Sequence, residues 1–333
     1  MQIQKRIPSV SADTLKRSRA ARTAGRWAWR LFRFALILGL SYVILYPLLF
    51  TLSSFLRAAE DNYNSSIIWI PRHYTLDNLK LALDLMSYDK TLLSTVIISV
   101  GCAVLQVCVS ALVGYGFARF RFKFRNQLFA LVLFTVIIPP SLLNLSLFAQ
   151  YRNFDFFFLG YLAKPFTGSA FTVNLVDTYA SMFLPSVLGV GLRGGLFIYI
   201  FRQVFKGMPD DLENAATIDG CGTMQAFLRI MLPCAGAAIL VVFIFSFIWH
   251  WNDYYVTSTL LVDKMTLSPK LLAARSLVQY LDPIKTRASY PDYGSNEAIL
   301  QAATFLVIFP PLFLYMFVQK YFIQSIERTG IVG

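Results

Sequence analysis

The sequence has little charge: Asp, Glu, Lys and Arg make up 14% of its 333 residues, whereas soluble domains carry about a quarter. Cysteine and histidine are also scarce, with four and two residues, and no two cysteines form a Cys-x-x-Cys pair. A zinc site is therefore not expected. No cysteine falls in a segment predicted to lie outside the cell, which argues against a disulfide framework. The cysteines are Cys102, Cys108, Cys221 and Cys234.

Motifs for nucleotide binding and catalysis are missing as well. The Walker A pattern Gly-x-x-x-x-Gly-Lys-Ser/Thr does not occur, so we expect no ATP to bind this chain by that route. No Ser/His/Asp arrangement, pair of acids or metal-ligand cluster is evident, and His73 and His250 are predicted to be non-catalytic. The sequence therefore predicts no catalytic residue, no metal ligand and no cofactor bound by the chain itself.

Hydrophobic residues make up 56% of the chain, including 30 Phe, and they are grouped into long runs. A bilayer core needs about 20 apolar residues in a helix, and six runs meet this requirement. We predict an all-α integral membrane protein with six transmembrane helices. None of the runs contains Asp or Glu, which disfavours an ion-driven secondary transporter. The runs are approximately Leu31–Phe55, Leu92–Ala118, Leu128–Ala149, Tyr179–Phe201, Leu232–Trp251 and Ile299–Val318.

The distribution of Lys and Arg predicts the orientation. The net charge is +12, and basic residues dominate the chain up to Arg33 and the loop from Arg119 to Arg125, which therefore face the cytoplasm. Segments 56–91, 150–178 and 252–298 have balanced charge and are predicted to lie outside. Both termini are then cytoplasmic, with residues 1–30 as a basic, disordered tail and residues 323–333 as a second tail. Because topology explains the charge, nucleic-acid binding is not expected.

The runs contain helix breakers and one charge. Pro139-Pro140 and Pro310-Pro311 each remove backbone donors, so we expect kinks that face neighbouring helices or a cavity. They serve either helix packing or a hinge. Arg193 lies inside the fourth run, where a charge costs ~2.5–3.5 kcal/mol on insertion scales. Arg193 is predicted either to line the transport pathway or to bond to nearby backbone carbonyls.

The segment between the fourth and fifth runs, residues 207–231, predicts a short cytoplasmic helix, a turn and a second helix. Pro209 suits the first helical turn, and Asp210, Asp211 and Glu213 lie near the positive end of the helix dipole. Gly220 can close the helix in a left-handed conformation. Leu212, Ala215 and Ala216 fall on one face at helical spacing. This face is predicted to let another protein approach closely.

The same segment resembles the Glu-Ala-Ala loop of ABC importer membrane subunits, which has a Gly four residues later and Ile-x-Leu-Pro further on. Here Glu213, the Ala215-Ala216 pair, Asp219-Gly220, Ile230 and Leu232-Pro233 match it, and Asn214 departs from it. Trp69-Ile70-Pro71, the run Phe247 to Tyr254 and the ending Gly330 to Gly333 are similar to carbohydrate permeases of the maltose-importer type. The resemblance covers most of the chain from the first helix onward.

The resemblance implies a type I importer permease fold and a set of partners. These are a second homologous permease, two ATPase subunits that carry ATP and Mg, and an extracytoplasmic substrate-binding protein that contacts the long outer loop 254–296. It also implies that Glu213 pairs with a basic residue of the ATPase. The residues expected to couple to the ATPase are Pro209, Leu212, Glu213, Ala215, Ala216, Asp219 and Gly220.

Aromatic and polar residues cluster at the outer end of the fifth helix. They have the chemistry of a sugar site or of an aromatic belt at the membrane surface, and both interpretations remain open. Asn144 is an isolated polar residue of the third helix. The predicted cargo is a sugar or oligosaccharide, with peptides, amino acids or phosphate as the alternatives. Candidate pathway or substrate contacts are Asn144, Arg193, Trp249, Trp251, Asn252, Asp253 and Tyr254.

Overall fold

The computed structural model describes residues 12–62, 69–156, 160, 172–285 and 293–330, and this part of the chain is almost entirely helical. The described residues of the N-terminal half form the helices α1 (Ala12–Phe55), α2 (Ala59–Asn62), α3 (Asp77–Met86), α4 (Tyr88–Arg119), α5 (Arg125–Ile137) and α6 (Pro140–Arg152). Two further helices, α7 (Ala180–Val187) and α8 (Gly194–Gly207), precede the segment that resembles a coupling loop.

That segment contains α9 (Asp211–Ile218), α10 (Thr223–Ala226), a π-helical turn (Phe227–Met231) and α11 (Leu232–Cys234). The chain then continues through α12 (Gly236–Asn252), α13 (Tyr255–Leu260), α14 (Leu267–Lys285) and α15 (Tyr293–Gly330). The helical fold class predicted from the sequence is confirmed.

Among the described residues, three continuous helical segments are long and apolar enough to cross a membrane, namely Gly25–Phe55, Tyr88–Arg119 and Glu297–Lys320. Two bent pairs add to these. The axes of α5 and α6 meet at 100°, and those of Thr223–Cys234 and Gly236–Asn252 at 77°. The chain is therefore a multi-pass membrane protein. The predicted kink at Pro139-Pro140 is confirmed, since Ile138 and Pro139 are extended between α5 and α6.

The predicted fourth span is not one continuous helix. It is divided into α7 and α8 by residues 188–193, and Arg193 has φ of +61° immediately before α8. Glycine accounts for the break: Gly189 has φ of +75°, and a Cβ on Gly194 would lie 2.5 Å from the Gly189 carbonyl oxygen. The expectation that Arg193 lies inside a helix was wrong.

Two segments predicted to be irregular are helical. α1 begins at Ala12, so the basic tail expected to be disordered over residues 1–30 is helical from residue 12. The long outer loop contains α13, α14 and the start of α15. Its Pro269 lies in the first turn of α14, where a backbone donor is not needed. The C-terminal tail is helical up to Gly330, and residues 331–333 lie outside the described part.

α4 is the central helix, and it packs along α8 and α12. The approach to α8 depends on Gly114, because a Cβ there would lie 2.7 Å from Phe201 Cβ and 2.9 Å from the Arg202 backbone nitrogen. At the carboxyl end of α4, aromatic side chains fill the core: Tyr115 packs against Phe205 and Phe227 with ring centroids 5.6 and 4.8 Å apart. The π-helical turn that contains Phe227 also contacts α9.

Candidate functional site

The acidic helix α9 follows α8 after a short connection. Pro209 precedes the capping residue Asp210, so it lies just outside the first helical turn in which it was predicted. Asp211 and Glu213 occupy the first turn, where carboxylates favour the helix dipole. Asp219 follows the last helical residue, and Gly220 has φ of +80°, as predicted for a left-handed closing residue.

The faces of α9 differ from the predicted ones. Ala216 is 1% exposed and Glu213 is half-buried, so these residues lie on the inner face. The outer face consists of exposed residues at i, i+3, i+4 and i+7 spacing. Ile218, which is 86% exposed, is its large apolar side chain. The predicted docking face of Leu212, Ala215 and Ala216 is therefore wrong at Ala216, and the outer face is Asp211, Asn214, Ala215 and Ile218.

Glu213 has a partner within the chain. The Arg119 Nε atom lies 3.5 Å from Glu213 Oε2, and the Arg119 guanidinium also binds the Asp210 carboxylate and donates to the Met208 carbonyl oxygen at 2.8 Å. The second carboxylate oxygen, Glu213 Oε1, is buried and accepts no hydrogen bond from the described residues. This burial places the oxygen on the inner face of α9, beside Tyr115, and not on the outer face.

A second region of interest is a cavity of about 290 Å³ where the helix breaks converge. The α5–α6 break, residues 189–195 and the carboxyl end of α12 line it. Its polar lining includes Ser181, Arg193, His250 and Asp253, of which the last two are 2% and 8% exposed. Among these, Arg193 lies over the Trp249 ring at 5.8 Å. The described lining therefore has one carboxylate, one guanidinium and a few neutral polar side chains among mostly apolar residues.

Gln106 forms a polar bridge in the middle of α4. Its Nε2 donates to the Leu192 carbonyl oxygen at 3.0 Å, and its Oε1 accepts from Ser246 Oγ at 2.5 Å. The Ser246 carbonyl oxygen lies 2.8 Å from His250 Nδ1. This chain of contacts connects α4, the α7–α8 linker and α12, and it reaches the cavity at His250.

The aromatic and polar residues near the end of α12 do not form one site. Trp249 stacks on Phe245 and lies beside Phe197, while Trp251 is 1% exposed and donates to the Val307 carbonyl oxygen at 3.0 Å. Trp251 is thus a packing residue, and its prediction as a substrate contact was wrong.

The remaining candidates have local roles. Asp253 accepts from the backbone N–H of Thr257 at 2.8 Å and so holds the first turn of α13. Asn252 Nδ2 donates to the Ile248 carbonyl oxygen at 3.0 Å, and Asn144 Nδ2 to the Tyr255 carbonyl oxygen at 2.9 Å. Tyr254 lines a separate groove between α14 and α15. Of the predicted substrate contacts, the structure brings only Arg193 and Asp253 to the cavity.

Sequence reasoning missed Arg119, Gln106, Ser246 and Ile218. Of these, Gln106 could have been identified from the sequence, because a glutamine inside a long apolar run needs a hydrogen-bond partner within the protein. Arg119 was noted only as part of a basic loop. Over the described residues, no group of three or more His, Cys, Asp or Glu is placed to hold a metal ion.

Membrane-length helices with proline and glycine breaks, joined by a short acidic helix with an exposed outer face, are the features of a multi-pass membrane protein. Residues 106–328 match the family described as binding-protein-dependent transport system inner membrane component. The chain belongs to this family, whose members are ABC transporter permeases.

Related proteins agree with this assignment. The chain is 30% identical over 297 residues to an arabinooligosaccharides transport system permease of Halalkalibacterium halodurans, covering 88% of this chain and 93% of that protein. It is 27% identical over 314 residues to a diacetylchitobiose uptake system permease of Streptomyces coelicolor, covering 94% and 92%. A bacterial ABC transporter for the acidic polysaccharide alginate shares the fold, with a TM-score of 0.62 and 16% identity over 95% of this chain and all of that chain.

Proposed function

We propose that this chain is the membrane-spanning permease subunit of an ATP-driven, binding-protein-dependent importer of sugars or oligosaccharides. The observation that carries the proposal is the position of α9, a short acidic helix between two membrane segments, inside the part of the chain that matches the family. Its inner face is held by Arg119, while its outer face is left exposed. In this proposal α9 is the contact through which separate ATPase subunits move the permease.

The outer face of α9 suits a protein partner. An exposed isoleucine beside two small or uncharged residues gives an apolar contact, and Asp211 adds a charge at its edge. Glu213 is held on the inner face by Arg119 and its Oε1 is buried, so pairing with a basic residue of the ATPase would require this side chain to turn outward. Pro209, Asp219 and Gly220 set where the helix begins and ends, and Leu212 borders the contact.

The proposed topology has six spans with both termini in the cytoplasm. They are α1, α4, the α5–α6 pair, the α7–α8 pair, the segment from α10 to α12, and α15. α9 and the loop from Arg119 to Arg125 then lie on the cytoplasmic side, where Lys and Arg accumulate. A second homologous permease completes the pore, two ATPase subunits carry ATP and Mg, and the binding protein meets residues 254–296.

The cavity is proposed as part of the solute pathway or of its gate. It lies at three helix breaks, where rigid-body movement of one helix pair against another requires little local rearrangement. Arg193 and Asp253 are the residues we assign to it. Its described lining residues include no Phe, Tyr or Trp, so the cavity does not present Trp249 or Trp251 for stacking on a sugar.

Sugar cargo is favoured by the relatives, whose names specify arabinooligosaccharides and diacetylchitobiose. The alternative is the same type of importer for a peptide or an amino acid. An ion-driven secondary transporter is the more distant alternative, and purification separates it: an importer subunit co-purifies with ATPase subunits, whereas a secondary transporter supports uptake without them. Identifying the solute captured by the cognate binding protein decides the cargo.

The test of α9 uses two exposed isoleucines. Ile218→Asp places a charge in the proposed ATPase contact and should abolish co-purification of the ATPase subunits while the permease still inserts. Ile70→Asp is the matched control, because Ile70 is 75% exposed and lies on the proposed outer side, and it should retain the ATPase. Normal ATPase recovery with Ile218→Asp would show that α9 is not the docking helix.

A further inference from the structure

Arg119, the last residue of α4, has a largely buried side chain, although it stands at the start of the basic segment from Arg119 to Arg125. Its side chain is only 9% exposed, and a buried guanidinium is costly unless it is paired and hydrogen-bonded. The partners come from one short segment, residues 208–213. They are the Met208 carbonyl oxygen at 2.8 Å, the Asp210 carboxylate, and Glu213 Oε2 at 3.5 Å from Nε.

The other basic residues of the loop are placed differently. Arg121 is exposed, Lys123 lies over the Phe124 ring at 5.1 Å, and Arg125 Nη1 donates to the Phe120 carbonyl oxygen at 3.1 Å. General attraction between a basic loop and an acidic helix would not single out one arginine. The buried, three-group contact of Arg119 is therefore a specific attachment.

This attachment joins α9 to a helix that is not its neighbour in the chain. The backbone connects α9 to α8 and, through α10 and the π-helical turn, to α12. Arg119 adds α4, which itself packs along α8 and α12. Below the contact, Tyr115 of α4 lies against Phe205 of α8 and Phe227 of the π-helical turn. A force on α9 thus reaches three membrane helices.

We propose that Arg119 is a positioning residue for transport: it fixes α9 to α4, so that movement of the docked ATPase moves α4 together with α8 and α12. The planar guanidinium has five donors in a fixed arrangement, which lets one side chain engage a carbonyl and two carboxylates. Lysine keeps the charge but not this geometry. The inference rests on the proposed function of α9 as the ATPase contact.

Hydrogen–deuterium exchange on the full importer complex tests it without knowledge of the cargo. The complex is compared without nucleotide and after trapping with MgATP and vanadate. Wild type should change its exchange on trapping in peptides covering both 208–218 and 115–122. Arg119→Gln should keep the change in α9 and lose the change in α4. Without nucleotide, the α9 amides of the Arg119→Gln complex should exchange about tenfold faster than those of the wild-type complex, because a charged hydrogen bond is lost.

Control variants separate a specific attachment from general damage. Arg121→Gln removes an exposed charge from the same loop and should behave as wild type, and Arg119→Lys should restore the α4 response in part. If Arg119→Gln prevents assembly, Asp210→Asn is used, since it removes one partner that is 82% exposed, and it should weaken the α4 response.

The outcomes also distinguish this inference from the proposed function. An α4 response that persists in Arg119→Gln, or that is missing in wild type while α9 responds, overturns the role of Arg119 and leaves α9 as the ATPase contact. An α9 that does not respond to trapping in wild type overturns the docking role, and the inference with it.

Discussion

At the scale of single residues, Asp61 organises the segment that follows α1 and α2. Its side chain is 3% exposed, and its Oδ2 accepts from the backbone N–H of Arg72 at 2.6 Å and of His73 at 2.8 Å. Its Oδ1 lies 2.9 Å from His73 Nδ1. The backbone hydrogen bond from His73, above all, holds the pKa of this carboxyl below its usual range.

The lowered pKa of Asp61 predicts a pH dependence. The ionised carboxylate stabilises the folded state above the usual Asp pKa of about 3.9, and this contribution is lost as pH falls through the lower pKa of the folded protein. Asp61→Asn should therefore lower the thermal midpoint of the detergent-solubilised protein at pH 7. The difference from wild type should shrink as the pH falls below about 4.

Asp77→Asn provides the control for this measurement. Asp77 is 76% exposed and lies 3.5 Å from Lys80 in a surface ion pair, which contributes little to stability. The Asp77→Asn substitution should therefore leave the thermal midpoint unchanged, both at pH 7 and at a pH below about 4. A difference between Asp61→Asn and wild type that stays constant with pH would contradict the proposed role of the Asp61 charge.

The residues of α9 show what the sequence could and could not predict at this scale. The position of the helix, its acidic first turn and the left-handed Gly220 follow from local rules, and all three are present. The orientation of the helix does not follow from them. Which face is buried depends on Arg119 and Tyr115, about 90 residues earlier in the chain, so Ala216 was assigned to the wrong side and Ile218 was overlooked.

At the scale of elements, α15 shows how a membrane helix tolerates two consecutive prolines. A proline removes the hydrogen bond to the carbonyl four residues earlier, so Pro310 and Pro311 leave the carbonyls of residues 306 and 307 without their helical donors. The Tyr88 hydroxyl donates to the Leu306 oxygen, and Trp251 Nε1 to the Val307 oxygen, each at 3.0 Å. Two side chains from other helices thus replace the two missing donors.

This replacement predicts a double-mutant result. Trp251→Phe leaves the Val307 oxygen without a donor in an apolar environment and should destabilise the protein by about 1–3 kcal/mol. Pro311→Ala restores the backbone N–H that can bind the same oxygen, so it should recover part of this loss in the double variant. Thermal unfolding of the four proteins in detergent gives the coupling between the two sites.

Pro310→Ala combined with Trp251→Phe is the control, because it restores a donor to residue 306 and not to residue 307. This double variant should not recover the stability that Trp251→Phe loses. Equal recovery by both proline substitutions would mean that helix propensity, and not the Val307 oxygen, accounts for the effect.

The two double prolines look alike in the sequence and differ in the structure. Pro139-Pro140 separates two helices at 100°, whereas Pro310-Pro311 lies inside one helix. The difference depends on donors supplied by Tyr88 and Trp251 from distant parts of the chain. For the same reason the break between α7 and α8 was not predicted: it follows from the contact of Gly194 with the Gly189 carbonyl, which no hydrophobic pattern records.

At the scale of the whole molecule, the fourth span decides the topology. α7 and α8 have 8 and 14 residues, which together extend about 33 Å at about 1.5 Å per residue. A bilayer core is about 30 Å thick. The broken pair is thus long enough to cross if the two helices run in the same general direction. Arg193 at the break then lies at depth within the membrane, beside the cavity.

Labelling of single cysteines tests this crossing. Three spans separate Ile70 from Ile218 in the proposed topology: α4, the α5–α6 pair and the α7–α8 pair. In a variant with all four native cysteines replaced by serine, a membrane-impermeant maleimide should label Ile70→Cys in intact cells and Ile218→Cys only after permeabilisation. Both side chains are largely exposed, at 75% and 86%, so reactivity reports the side of the membrane. Labelling of both cysteines in intact cells would mean an even number of crossings. In that case either the α5–α6 pair or the α7–α8 pair would be re-entrant, and α9 would lie out of reach of any ATPase.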